Sequence, residues 1–86
     1  MAKIPVTVYT TPSCVQCEMT KKLMDRHGIY YTVQDLTDSK NAGKLAEFKD
    51  KGLLQAPIVT TDTKAWSGFK PAKIESLATY IKSMEK

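Results

Sequence analysis

The chain has two cysteines, one histidine and one tryptophan in 86 residues. Two Cys and one distant His fall short of the four ligands a structural zinc site takes, so only a dimer sharing the metal could supply four thiolates. No apolar run approaches the ~20 residues a membrane-spanning helix needs. The opening Lys3-Ile4-Pro5-Val6-Thr7-Val8 is too short and too polar for a signal-peptide apolar region. A cytoplasmic protein is therefore expected. In that compartment a structural disulfide is uncommon, and a Cys pair leans toward redox catalysis or metal binding. There is no internal repeat and no Gly/Ser-rich linker, so residues 1–86 are expected to form one domain, burying about 60–65% of the surface the unfolded chain exposes. There is also no basic run with interleaved aromatics, which argues against nucleic-acid binding. The lysines behind the net charge of +4 are scattered and read as solvated surface, with at most a mild steering effect on an acidic protein partner.

What the chain does have is Thr10-Thr11-Pro12-Ser13-Cys14-Val15-Gln16-Cys17, which holds both cysteines at the spacing C-x-x-C. It follows a β-branched, alternating segment over residues 3–9, where Pro5 suits a strand start. It precedes a helical pattern over 15–27, with Val15, Met19, Leu23 and Met24 as the apolar stripe and Gly28 as the stop. Arg26 and His27 fall in the last turn, opposite the negative end of the dipole, and His27 reads as a helix-end residue rather than a ligand. A second strand is expected over 29–35. Thr37, Asp38 and Ser39 supply cap chemistry for a helix over 39–51, with Leu45, Ala46 and Phe48 partly buried and Gly52 at its end. A third strand follows over 58–61 and an antiparallel return over 65–67. A last helix begins at Pro71 and carries Ile74, Leu77, Ala78, Ile81 and Met84 on one face. The order β-α-β-α-β-β-α implies two parallel strands from a right-handed crossover and a terminal hairpin. That is an α/β fold of the thioredoxin-like plan, a four-stranded mixed sheet flanked by three helices.

On this plan Cys14 sits at a helix N-cap and Cys17 three residues further on, so the two sulfurs share a face. The unpaired first-turn N–H groups and the helix dipole favour a thiolate at Cys14. Cys14 is therefore the expected nucleophile and Cys17, deeper in the helix, the resolving thiol. A Cys14 thiolate would attack a target disulfide, and Cys17 would then resolve the mixed disulfide.

With motif and order in place, the sequence resembles the glutaredoxin family, and within it the NrdH-redoxins, glutaredoxin-like proteins with thioredoxin-like activity. The resemblance is carried by Val8-Tyr9-Thr10 leading into Cys14-Val15-Gln16-Cys17, by Gln55-Ala56-Pro57, and by Trp66-Ser67-Gly68-Phe69-Lys70-Pro71. It spans nearly the whole chain. It implies that Pro57 is cis and that the Ala56 backbone offers strand-type hydrogen bonds to an extended peptide. It implies a partner-binding surface made of Thr11, Pro12, Val15, Gln16, Ala56, Pro57, Trp66, Ser67, Gly68, Phe69 and Lys70, with Trp66 as an exposed docking aromatic.

Two departures bear on the electron source. Many relatives carry a lysine where Thr11 stands, and in glutathione-using ones it helps hold the tripeptide. Those relatives also have a Gly-Gly and an acidic pair before the last helix, where this chain has Ser67-Gly68-Phe69-Lys70. Both absences argue against tight glutathione binding. Lys70 in place of arginine keeps the charge and loses the bidentate fork, which implies a looser local geometry. The resemblance thus implies a monomeric dithiol–disulfide oxidoreductase with no bound cofactor or metal. It would donate electrons to the large subunit of a class Ib ribonucleotide reductase and be recycled by thioredoxin reductase, with NADPH used indirectly. The alternatives are a glutathione-dependent glutaredoxin, a general protein disulfide reductase, and a metal- or Fe–S-bridged dimer.

Overall fold

Residues 5–84 are described by a computed structural model. Strand β1 covers Thr7–Thr10 and helix α1 Val15–Arg26. Strand β2 is Thr32–Asp35, and a 3₁₀ turn at Ser39–Asn41 leads into α2, Ala42–Asp50. Strands β3 (Ile58–Thr60) and β4 (Ala65–Ser67) form the hairpin, and α3 runs Pro71–Met84. The sheet order is β2-β1-β3-β4, with β1 and β2 parallel and the other two pairings antiparallel. This is the expected thioredoxin-like architecture. Residues 3 and 4 of the expected first strand and the Met84 side chain lie outside what is described.

Alternation along the strands divides the core between the two faces of the sheet. Val8 pairs with Val59, and Val59 with Trp66, so the three form a row across β1, β3 and β4. That row is buried with Met24 of α1 and with Ile74, Leu77 and Ala78 of α3. The alternate positions Tyr9 and Ile58 are buried on the other side with Leu36 and Phe48 of α2. There the Tyr9 and Phe48 rings meet edge to face at 4.8 Å. The parallel pairing is carried past β2 by Leu36, whose N–H donates to the Thr10 carbonyl at 2.8 Å. Asn41 then ties the following turn back, donating to the Asp35 carbonyl at 2.7 Å.

Three side-chain expectations are corrected. The sheet-facing side of α1 is Cys17, Thr20 and Met24, at i, i+3 and i+7. Val15 and Met19 of the expected stripe are exposed, at 73% and 43%, and Leu23 is only partly buried. The stripe is turned by about one residue because the small Cys17 sulfur and the Thr20 methyl serve as its apolar groups. Ala46 is exposed, since α2 turns only Leu45 and Phe48 inward. The N-cap chemistry belongs to the 3₁₀ turn, where the Asp38 carboxylate accepts the Lys40 N–H at 3.1 Å.

Candidate active site

Thr10 at the end of β1, Ile58 at the start of β3 and Ser67 at the end of β4 lie at one end of the sheet, as the register requires. The cysteine motif, the Gln55-Ala56-Pro57 loop and the segment after Trp66 all leave the sheet there. Between β1 and α1 the chain turns at Pro12-Ser13, with Ser13 at φ +57. A left-handed serine is uncommon and costs about 1 kcal/mol. The turn sets Cys14 in extended backbone as the N-cap of α1.

Cys14 and Cys17 are joined as a disulfide, with their Cα atoms 5.2 Å apart. The Cys17 N–H donates to the Cys14 Sγ at 3.1 Å, so the cap is made by sulfur where a hydroxyl or carboxylate usually serves. Cys17 is 1% exposed and Cys14 half-buried, an inequality that sets one sulfur within reach of a partner and withdraws the other. One residue on, Glu18 is paired at the surface. Its carboxylate is bound by the Lys21 ammonium at 2.7 Å, and that hydrogen bond and charge hold it below the usual carboxylate range.

The three sequence segments are stitched together by backbone amides. The Gly68 N–H donates to the Pro57 carbonyl at 2.7 Å, and the Phe69 N–H donates to the Gln16 Oε1 at 3.0 Å. Gly68 sits at φ +81, and a Cβ there would stand 3.3 Å from the Gln55 Oε1 and 3.6 Å from the Gln16 Oε1. Only glycine suits both that backbone and that space. The Ala56–Pro57 bond is cis, as the resemblance implied. Ala56 stands outside the strand pairing, which starts at Ile58.

The expected docking aromatic is not on the surface. Trp66 is 4% exposed and belongs to the core row with Val8 and Val59. Its place in β4 turns it toward α1 and α3, while the flanking Ala65 and Ser67 point the other way. Phe69 is half-buried against the same core. Lys70 is exposed, and its carbonyl accepts the Lys73 and Ile74 N–H groups at the start of α3. The loop is therefore fixed by Gln16 and the Pro57 carbonyl rather than by the side chain at position 70. What lies open near the disulfide is Val15 and Met19 on one side of α1, and Leu54, 72% exposed, in the loop before Pro57. Leu54 and the hydrogen bond from the Phe69 N–H to Gln16 were not singled out from the sequence, and Met19 was read there as part of the core. The i, i+4 pairing of Val15 and Met19 beside the motif fits an exposed patch and a core stripe equally well.

Among the described residues no group of three or more His, Cys, Asp and Glu side chains gathers as a metal site. The chemistry on offer is that of the sulfur pair. The glutaredoxin family model matches residues 6–66. The glutaredoxin-like protein NrdH of Lactococcus lactis is 38% identical over 77 residues, covering 85% of this chain and 99% of that protein. The chain belongs to the NrdH-type glutaredoxins. The NrdH of Escherichia coli is 32% identical over 72 residues, covering 84% of this chain and 86% of that one. The solved structure of E. coli NrdH-redoxin, a glutaredoxin-like protein with a thioredoxin-like activity profile, superposes with a TM-score of 0.76. That match covers 85% of this chain and 93% of the other. As an NrdH-type glutaredoxin, this protein is a thiol–disulfide oxidoreductase that carries a Cys14–Cys17 pair.

The Gln16 clamp has a measurable consequence. Gln16→Ala removes the acceptor of the Phe69 N–H, at a cost of about 0.5–1.5 kcal/mol in stability. Amide hydrogen exchange at Phe69 is expected to accelerate while exchange in β1 and β3 is unchanged. Unchanged protection at Phe69 would show that Gln16 does not hold the loop.

Proposed function

We propose that this NrdH-type protein carries electrons from thioredoxin reductase to the disulfide of a class Ib ribonucleotide reductase. Cys14 attacks, Cys17 resolves, no cofactor is bound, and NADPH stands behind the reductase. In the first step the Cys14 thiolate attacks one sulfur of the target disulfide. A Cys14–target bond forms and the other target sulfur leaves as a thiolate. Cys17, as thiolate, then attacks the Cys14 Sγ, closing the Cys14–Cys17 disulfide and releasing the second target thiolate. Two electrons have passed to the target, and protons from solvent complete its thiols. The reductase returns the two electrons to the Cys14–Cys17 disulfide.

The N-terminal end of α1 fits this assignment, because its free amides and dipole favour a thiolate at the cap position. Exposed Val15, Met19 and Leu54 give a protein partner an apolar surface beside the sulfurs. In this reading a partner docks on residues flanking the motif and the cis-proline loop, with Thr11, Pro12, Gln16 and Ala56 among them. A monomer in the cytoplasm is the state that serves this role. No helix among the described residues is long and apolar enough to cross a membrane.

The choice of thioredoxin reductase over glutathione rests on one observation. The Gly68 and Phe69 amides, which open the segment where glutathione-using relatives carry their Gly-Gly and acidic pair, are both engaged inside the protein. An incoming tripeptide carboxylate would have to displace the Pro57 carbonyl or the Gln16 side chain to reach them. The test supplies NADPH with thioredoxin reductase in one arm and glutathione with glutathione reductase in the other, and follows reduction of a protein disulfide. Turnover is expected in the first arm. Turnover only with glutathione overturns the reading in favour of an ordinary glutaredoxin.

A further inference from the structure

On its buried side α1 presents Cys17, Thr20 and Met24. Thr20 is one of two buried polar side chains among the described residues, with 0% of its surface exposed. The other, Asn41, spends its amide on the Asp35 carbonyl. The Thr20 Oγ1 is buried and has no hydrogen-bond partner. A helical threonine commonly turns its hydroxyl back to the carbonyl three or four residues before it. Here neither the Cys17 nor the Gln16 carbonyl takes that bond. A valine would have the same shape and would bury no unpaired hydroxyl.

The group beside Thr20 whose chemistry changes is Cys17. It lies one turn earlier on the same buried face, a spacing that sets Cβ atoms about 5–6 Å apart. Helical side chains lean back over the preceding turn, so Thr20 leans toward Cys17. In the disulfide the Cys17 Sγ is bonded to the Cys14 Sγ and carries no charge. When that bond opens, the Cys17 Sγ can turn about its own χ1, and it attacks only as a thiolate. The core against which α1 packs gives an anion no support, because Val8 of β1 and Ile74, Leu77 and Ala78 of α3 are apolar. The titratable groups nearby are committed elsewhere. Glu18 is paired with Lys21, the Tyr31 hydroxyl donates to Asp25 near the far end of α1, and Tyr9 belongs to the other face of the sheet. Lys22 and Arg26 are exposed.

We propose that Thr20 is a positioning residue for the resolving step, its hydroxyl donating a hydrogen bond to the Cys17 thiolate in the reduced protein and in the mixed disulfide. The proposal rests on Cys17 being the resolving thiol. Thr20 keeps its proton throughout. As the Cys17 sulfur attacks, the Cys17–Cys14 bond forms, the Cys14–target bond breaks and its electron pair leaves on the target sulfur. The charge is then gone from Cys17, and the hydroxyl is left unpaired, as it is in the disulfide.

The reduced full-length protein is mixed with a chromogenic aryl disulfide. One aryl thiolate is released when Cys14 attacks, at a rate set by the disulfide concentration. A second is released when Cys17 resolves, at a rate independent of it. In Thr20→Val the first release is expected to keep the parent rate. The midpoint of the pH profile of the second is expected to rise by about one unit, the effect of losing one charge-assisted hydrogen bond. A more basic thiolate is also a better nucleophile, with a Brønsted slope of ~0.4–0.5. The second release should therefore be about threefold slower than the parent's below the midpoint and about threefold faster above it. A packing defect does not make the two profiles cross. At equilibrium with dithiothreitol, the Thr20→Val disulfide should be favoured about tenfold more than the parent's, or about 30 mV. Thr20→Ser keeps the hydroxyl and should follow the parent in both measurements. A Thr20→Val profile that coincides with the parent's, or a Thr20→Ser variant that shifts with Thr20→Val, overturns the proposal and leaves Cys17 as the resolving thiol. A second release that persists in Cys17→Ser overturns that role, and the proposal with it.

Discussion

Cys14→Ser lowers disulfide reduction by more than about 10³-fold, in the range that follows loss of an attacking nucleophile, whereas Cys17→Ser stalls after the first attack. The two sulfurs are chemically alike, and the fold makes them unequal. Cys14 is half-buried at the N-cap, where its Sγ already accepts the Cys17 N–H at 3.1 Å. Cys17 is 1% exposed, inside the first turn. A bulky protein disulfide can align in the S–S–S geometry of exchange only with the outer sulfur. Once reduced, Cys14 keeps the amides and dipole that favour a thiolate, while Cys17 faces the sheet beside Thr20 and Met24. With a protein disulfide as target, Cys17→Ser is expected to accumulate a mixed disulfide at Cys14, seen as a mass adduct that added dithiol removes. Cys14→Ser is expected to accumulate none. An adduct at Cys17 in Cys14→Ser, with none in Cys17→Ser, would reverse the roles.

The elements were legible because their punctuation is local. Gly28 at the end of α1, Asp38 before the 3₁₀ turn and Pro71 opening α3 each act through their own backbone. So does Cys14 as a cap, since a sulfur followed by a helical pattern carries the information on its own. What was less legible depends on rotation and register. The α1 stripe could be drawn through Val15 and Met19 or through Cys17 and Thr20. The hydropathy of the first pair is higher, yet the second faces the sheet. Nothing local decides between them, because the rotation is set by where β1 delivers the chain and by the sheet and α3 that the helix packs against. The Gln16 clamp on Phe69 joins residues 53 positions apart, which no spacing rule encodes. The cis state at Pro57 came through the family resemblance and not through the loop's own residues.

Trp66→Ala is expected to cost about 3–5 kcal/mol, a large share of the roughly 4–13 kcal/mol available to a chain of this length. The melting temperature should fall by on the order of 20 °C. The family segment suggested a docking aromatic, and that reading makes the opposite forecast, with stability intact and partner reduction lost. The register decides between them. Val8, Val59 and Trp66 occupy one row of the sheet, so any side chain at position 66 points between α1 and α3. Ile74, Leu77 and Ala78 close over it. Truncation there leaves a void that the helices can fill only by moving. Trp66→Phe separates the two readings where the alanine variant fails to fold. Phenylalanine keeps an aromatic ring in the row and removes the unpaired N–H, so its stability should lie within about 1.5 kcal/mol of the parent. Thermal unfolding and steady-state reduction, run on both variants, make the comparison. If Trp66→Phe keeps its melting temperature and loses most of its kcat/KM, the ring meets a partner. If both are kept, the tryptophan serves the site by holding β4 in place, so that Gly68 and Phe69 reach Pro57 and Gln16.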